Sequence, residues 1–500
     1  MRLVFRRNDD LPPLAWYCCI KKQNEIADVV HGAGVDFQEN AFVEGAWNGA
    51  FSRMEFSDHE CFGSGGRIVE SGIRFTAPDH LLSGIFEYSD TSGHVSISNS
   101  LPLMLAKESL SFEDTLANAQ RYLSAISGGL SQSPAIIPLS GGKSVKMHFW
   151  CNLDVTPDLH VVSRRKQVEA EFSDYKSYTH YVRGVMAGIF ANAADPHRAK
   201  CYEPLATLSS GYDSTAIATL AAEEGCRDGV SFSHSRKSKG GVEEDDGQVV
   251  ASALGLNLMM ADRLAYTSWN DMPELETWGQ GSEFLSIRPL VAGRVVLVGH
   301  FGDSVWERNL VNLGTDVKWP LIAGHDLSDF RLEQDFILFP AAFLAAWRLA
   351  EINRISRSDE MQPWTLYNDY DRPICRRIVE EKGVPRAAFG QKKLAAGVFS
   401  RDEGLDATIT KSSLQDYRNW KVATIPPTAP TVQQKLKFAL GKWNSKISRK
   451  VYKITAVKLG RGYAIPIIFP MTSKLTEGSF AFVWAMRRLS ERMTHALRQD

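Results

Sequence analysis

The stretch Ser209-Ser210-Gly211-Tyr212-Asp213-Ser214 carries the densest chemistry in the chain. An apolar run, Leu205-Ala206-Thr207-Leu208, leads into it, and an Ala/Leu/Ile-rich helical pattern follows at once. The pattern predicts a buried strand, a tight turn and a helix start, with Gly211 free to adopt a backbone conformation closed to other residues. Hydroxyls and backbone N–H groups at a helix N-terminus suit an anion. Asp213 would repel bare phosphate, so its natural task there is to hold a cation that phosphate also binds. Together these residues read as a nucleotide triphosphate site that uses magnesium. The plainer reading is a strand–glycine–helix turn with no ligand, which many α/β proteins contain.

A second candidate is Val295-Val296-Leu297-Val298-Gly299-His300-Phe301-Gly302-Asp303-Ser304, again a buried strand running into glycines and an acid. In an open α/β sheet, ligands sit beyond the carboxyl ends of the strands, so two such ends can face one site. Asp213 and Asp303 would then share a magnesium ion held against ATP phosphates. Each aspartate taken singly also reads as a helix N-cap. His300 reads either as a proton acceptor near neutral pH or as a hydrogen-bonded structural residue.

Elements must position these loops. From 200 to about 400, apolar strands (205–208, 230–233, 295–298) alternate with helical patterns, predicting a parallel sheet with helices on both faces. Residues 1–160 are rich in Gly, Ser and short alternating segments such as Gly93-His94-Val95-Ser96-Ile97-Ser98-Asn99, which predicts a β-rich layered domain with some helix near 116–126. The expected organisation is this domain, a helical connector over 161–200, an α/β domain over 201–423, and a linker with a basic helical tail over 424–500. The linker is Thr424-Ile425-Pro426-Pro427-Thr428-Ala429-Pro430-Thr431. Beyond it, fourteen lysines and arginines face three acids. That tail is the one candidate for contact with nucleic acid or a membrane surface; the alternative is a helical appendage whose charges are solvated.

Five hundred residues with 44% hydrophobic and 23% charged composition give ample chain for substantial cores. A formal net charge of −1 offers no whole-chain attraction for nucleic acid or anionic membrane. Seven scattered cysteines without Cys-x-x-Cys indicate neither a zinc knuckle nor a disulfide framework. His59, His80, His94, His148, His160 and His180 lack metal-ligand spacing. The N-terminus has no long apolar region, and the apolar segments 337–346 and 464–471 are too short or proline-broken to span a bilayer, so a cytoplasmic protein is expected. Leu139-Ser140-Gly141-Gly142-Lys143-Ser144 ends like a Walker A loop, but Ile137 stands where its first glycine belongs, and a surface turn is expected.

The 209–214 stretch resembles the Ser-Gly-Gly-x-Asp-Ser pyrophosphate loop of N-type ATP pyrophosphatases, with Ser210 in place of the first glycine. The order of motifs over about 200–400 is similar to the synthetase domain of the asparagine synthetase family. After the loop, in place of the family's acidic helix, comes Val242-Glu243-Glu244-Asp245-Asp246-Gly247-Gln248-Val249-Val250-Ala251, and then Gly299 to Ser304 in place of Gly-x-Gly-x-Asp-Glu. Gly229-Val230-Ser231-Phe232-Ser233-His234 lies where that family's second strand meets adenine. Downstream, Ser358-Asp359-Glu360-Met361 and Tyr370-Asp371-Arg372-Pro373 loosely match the segment ending in Arg-x-Pro. Val384-Pro385-Arg386 and Phe389-Gly390-Gln391-Lys392-Lys393 match the late lysine motif.

The resemblance implies a pyrophosphate-loop fold in which Leu208, Ser209, Ser210, Gly211, Asp213, Ser214, Phe232, Ser233 and Gly299 bind ATP. It implies magnesium on Asp213 and Asp303, and Lys392 (Lys393 as second choice) neutralising phosphoryl charge. The implied activity is an AMP-forming ligase that adenylates a small-molecule or peptide carboxylate and passes it to ammonia or an amine, with His300 and Lys392 as catalytic candidates. The chain departs from the family at His300, Phe301, Ser304 and Ser210, and Phe301 is expected to crowd the pocket floor. The segment 93–105 is similar to late strands of the family's glutaminase domain, but Met1-Arg2 stands where that domain needs cysteine. A repurposed domain without glutamine hydrolysis is therefore expected. Two other readings stand beside the ligase: a pyrophosphate-loop enzyme modifying a nucleobase or sugar, and a non-catalytic nucleotide-binding scaffold.

Overall fold

Short alternating segments in the first third of the chain pair into two sheets. This computed structural model describes residues 1–22, 25–90, 93–112, 130, 133–166, 170–233, 236–238, 241–243, 247–263, 265–269, 282–310, 313, 317, 327–368, 370–391, 409–424 and 474–498. The first sheet has seven strands, running from Arg2–Arg7 at one edge through Ile26–His31, Trp16–Lys21, His94–Ser98, Ile85–Ser89 and Ser144–His148 to Ala135–Pro138. The second has six, from Val161–Arg165 through Cys151–Val155, Gly72–Thr76, Cys61–Val69 and Ala41–Trp47 to Asp36–Gln38. Inward residues of both, including Val29, Ile85, Phe75 and Leu153, share one apolar core around Trp16. The Trp16 ring lies 5.1 Å from Phe42 and 6.0 Å from Phe75.

The expected connector begins later than the sequence suggested. Val161–Arg165 is a strand that pairs antiparallel with Cys151–Val155, because its β-branched start completes the sheet edge. The connecting helix is Tyr175–Ala193, started by a capping box in which the Asp174 carboxylate accepts from the Ser177 backbone N–H. The expected helix near 116–126 lies outside the described residues. In the segment 93–105 the strand His94–Ser98 gives way to a helix, Leu101–Lys107, capped by Ser100 and opened by Pro102. The Walker-like stretch is a single turn, Ser140–Gly142, between two strands.

The third sheet is wholly parallel, in the spatial order Asn257–Asp262, Asp228–Ser233, Glu203–Thr207, Arg294–Leu297, Ile337–Phe339. Its central strands are apolar through their middles, as strands covered on both faces must be. Pro204 is tolerated in the central strand because its neighbour Asp228–Ser233 starts pairing only at Leu205. Numbered along the chain the order is 3-2-1-4-5. The direction of winding therefore reverses between the first strand, Glu203–Thr207, and the fourth, Arg294–Leu297.

The sandwich and the parallel sheet meet through charge as well as apolar contact. Arg331, in the helix Leu327–Gln334, donates to both oxygens of Glu44 at 2.6 and 3.0 Å, and both side chains are almost fully buried. Ser64 and Asn99 also donate to Glu44 Oε1. Phe62 packs 4.3 Å from Phe339 across the same junction. The C-terminal helix Lys474–Ala496 packs on Leu101–Lys107, and Trp484 donates to Asp416 at 2.9 Å. Most of the basic tail, 425–473, lies outside the described residues. Among those described, no helix is long and apolar enough to cross a membrane. All seven cysteines are unpaired, five of them buried.

Removing one partner of a buried, bidentate pair leaves an uncompensated charge, so Arg331→Leu should cost about 3–5 kcal/mol of stability. Thermal unfolding of Arg331→Leu against Arg331→Leu/Glu44→Met checks this. The double variant should recover much of the loss, since it buries no orphaned carboxylate.

Candidate functional site

Both candidate loops leave the sheet at the point of reversal. The strands Glu203–Thr207 and Arg294–Leu297 pair side by side and parallel, so residues 209–214 and 299–303 emerge at the same end. Connections that depart in opposite directions from adjacent strands leave a crevice between them, the general location of ligands in open α/β sheets. The loops touch. A Cβ placed on Gly299 would come within 2.7 Å of the Ser214 backbone nitrogen, and one on Gly302 within 2.5 Å of Asp213 Cγ. Bare glycines at 299 and 302 are what allow the Asp213 side chain to lie against the backbone just before Asp303.

The first loop closes on itself. Ser209 Oγ accepts from Gly211 N at 3.1 Å and lies 2.6 Å from Ser214 Oγ. Thr215 Oγ1 donates to the Ser209 carbonyl at 2.9 Å. Gly211, the N-cap of the helix Tyr212–Glu223, has φ −73° and ψ 166°, an extended conformation any residue adopts. Glycine is therefore not required there by φ, contrary to expectation; a side chain would only meet Ser209 Oγ, at 3.2 Å. Leu208 is buried and pinned to the second strand through its amide, 2.8 Å from the Val230 carbonyl. Gly247, at φ +59°, ends the acidic segment against the Ser209 nitrogen. The helix that follows starts only at Gln248, and Val242 lies in the short strand Gly241–Glu243.

A third segment grips this loop, and sequence reasoning read it only as a loose match. Arg372, at the start of the helix Pro373–Glu380, donates through Nη1 to Asp213 Oδ1. Its Nε lies 3.6 Å from Glu307 Oε2, and its guanidinium sits 5.0 Å from the Tyr370 ring. Burial opposes the charge of Arg372, but Asp213 and Tyr370 more than offset this and hold its pKa above the usual value. Burial pushes the Glu307 carboxyl up, against the pull of Arg372. One turn on, Arg376 bonds the Tyr212 hydroxyl. Gly390 N donates to the Ser210 carbonyl at 2.7 Å, and its φ of +62° brings its backbone so near the Tyr212 ring that a Cβ would come within 2.3 Å. Ser210, Tyr212 and Asp213 are thus each held from 372–390. The late motif reaches the loop at Phe389 and Gly390, whereas Lys392 and Lys393 lie outside the described residues.

On the other side, Phe232 and Phe284 meet edge to face at 6.2 Å, and His300 lies 6.2 Å from Phe284. Arg263, buried just past the third strand, places its guanidinium 5.0 Å from the Phe232 ring. Ser233 Oγ donates to the Ala261 carbonyl at 3.3 Å. His300 is neighbour to this aromatic wall; its residue keeps some accessible surface, but Nδ1 is shut off from solvent. Burial lowers the His300 pKa to about 4, although Asp303 pulls the other way. Phe301 packs into the core. It is buried and stacked 4.2 Å from Phe343, with φ +74°, a left-handed conformation that costs a non-glycine residue roughly 1 kcal/mol or more. Stacking against Phe343 holds it there.

Among the described residues no group of three or more His, Cys, Asp or Glu side chains is arranged to hold a metal ion by itself. Compared with models of known families and with curated proteins, the chain matches none.

His300 should titrate near pH 4 in a ring-proton NMR titration, well below its ordinary 6.5. Because the unfolded chain takes up this proton first, the contribution to stability is full above about pH 6.5 and is lost as the pH falls toward 4. A midpoint near 6.5 would place the ring in water.

Proposed function

We propose that the chain is an ATP-dependent, AMP-forming ligase that activates a carboxylate and joins it to ammonia or an amine. The observation that carries this reading is the contact of the two glycine–aspartate loops at the reversal of the parallel sheet, with the late motif bound to the first loop. Phosphates would lie across the N-terminus of the helix Tyr212–Glu223, where backbone N–H groups converge. The base would rest toward Phe232 and Ser233, with the neutral His300 ring as part of that wall. A ring so weakly basic at pH 7 is a poor proton acceptor, which favours binding over proton transfer for His300.

The residues fit a magnesium–nucleotide. Asp213 and the neighbouring Asp303 are two hard carboxylates, the number magnesium takes from a protein when phosphates supply the rest. Bound there, magnesium would neutralise charge developing on the phosphoryl oxygens. Attack of the substrate carboxylate on the α-phosphorus would give an acyl-adenylate and pyrophosphate, and the amine would then release AMP. The N–H groups of the loop, the bare backbone at Gly299 and Gly302, and Lys392 as the proposed cation would orient the phosphates for that attack.

Two observations favour a second reading, a nucleotide-binding scaffold without turnover. Asp213 is already paired with a buried guanidinium, and Phe301 spends strain where a glycine would not. Carboxylate-dependent exchange of labelled pyrophosphate into ATP separates the two readings: an adenylating enzyme exchanges, whereas a scaffold binds ATP and does not. Gly299→Ala is the informative variant, since its Cβ meets backbone at Ser214 rather than a movable side chain. Displacing the loop by a fraction of an ångström or more should lower exchange by about a hundredfold. Circular dichroism should stay that of the parent; undiminished exchange would remove the loop contact from the site.

A further inference from the structure

We propose that Arg372 is a built-in counter-ion of Asp213, which a divalent cation must displace before it can use that carboxylate. The inference rests on the reading of Asp213 as a cation ligand and assigns a role to a residue outside the two loops.

The argument starts from charge. A guanidinium does not deprotonate in proteins, so Arg372 is a permanent cation, and its side chain is only 2% exposed. Its Nη1 occupies Asp213 Oδ1. A divalent cation drawn to the same carboxylate would face a fixed positive charge within bonding distance of its ligand. An opposite charge beside a carboxylate typically shifts its proton affinity by one to three units. Competition of that size lowers the affinity of Asp213 for another cation by about tenfold or more.

Displacement is feasible because Arg372 has a second partner. Glu307 Oε2 lies 3.6 Å from its Nε, and the ring of Tyr370 lies 5.0 Å from the guanidinium carbon. A small rotation exchanges Asp213 for Glu307 without leaving a buried charge unpaired, the condition under which breaking a buried pair is strongly unfavourable. The exchange has a purpose. A free cation would meet two carboxylates and a competing arginine, and would bind poorly. A cation arriving with pyrophosphate oxygens brings further ligands and overcomes the competitor. Arg372 thereby makes the site selective for the metal–phosphate pair over the bare metal. Arg376, one turn on, holds Tyr212 and so keeps the loop in place independently of Arg372.

The test is manganese(II) binding to the full chain, followed by electron paramagnetic resonance, with manganese alone and with inorganic pyrophosphate. The parent should bind manganese alone weakly and the pair much more tightly. Arg372→Gln should bind manganese alone about tenfold or more tightly than the parent, and adding Asp213→Asn should abolish the gain. Arg372→Lys, which keeps the charge but loses the planar fork, should fall between them and decides the matter where the glutamine variant does not fold. Unchanged manganese affinity in the variants, with the parent still binding the pair, overturns the role of Arg372 and leaves the nucleotide reading intact. Failure of every form to bind manganese with pyrophosphate strikes the nucleotide reading itself.

Discussion

The site depends on the reversal of winding in the parallel sheet. A strand whose neighbours on both sides continue in one direction has its carboxyl end covered by the next crossover. Between Glu203–Thr207 and Arg294–Leu297 the crossovers depart to opposite sides, and the space between them stays open. Both loops are short of side-chain bulk where they meet. Gly299 and Gly302 are placed where any Cβ would strike Ser214 or Asp213. Backbone proximity, fixed by a sheet buried on its central strands, thus sets the position of Asp213 before any ligand is considered.

A second layer of constraint comes from buried arginines. Arg372 and Arg376 stand one helical turn apart and hold consecutive parts of the loop, Asp213 and Tyr212. Arg331 performs an analogous task at the junction with the β-sandwich, where Glu44 takes both of its terminal nitrogens. Buried ion pairs contribute little net stability compared with apolar packing of the same volume. Their geometry is directional, however, and apolar packing is not. The arginines therefore fix orientation: of one loop against its helix, and of one sheet assembly against the other.

Much of this was legible in the sequence, and the exceptions have physical causes. The apolar strands at 205–208 and 295–298, each followed closely by glycine, were readable to within two residues, because a doubly covered strand is apolar through its middle. The edge strand Asn257–Asp262 was missed, since Met259 and Met260 are half-exposed and carry no β-branching. Ile337–Phe339 is three residues long, too short for any period to register. The two glycine–aspartate loops were identifiable by residue type. Their arginine partner was not, because Arg372 is 159 positions from Asp213 and no local pattern marks an arginine as buried. The positive φ of Phe301 and its stacking on Phe343 were equally illegible, because the sequence marks that position only as bulky.

His300 and Phe301 acquire a common sense from their surroundings. Phe301 occupies a backbone conformation that suits glycine, and it is retained by a stacked aromatic partner on the side facing the sandwich. His300, beside it, lies against Phe284 in the wall that Phe232 continues, and burial of its ring pulls its pKa down. Neither residue adds charge to the crevice. Immediately around Asp213, the described carboxylates of Asp213, Asp303 and Glu307 outnumber the one guanidinium bonded to them, Arg372, while Arg263 faces the Phe232 ring and Arg376 bonds Tyr212. A polyanion alone would be repelled from such a place, and one carrying its own cations would not. On the proposed reading, a metal-complexed phosphate is the ligand that such a balance of fixed charge would accept.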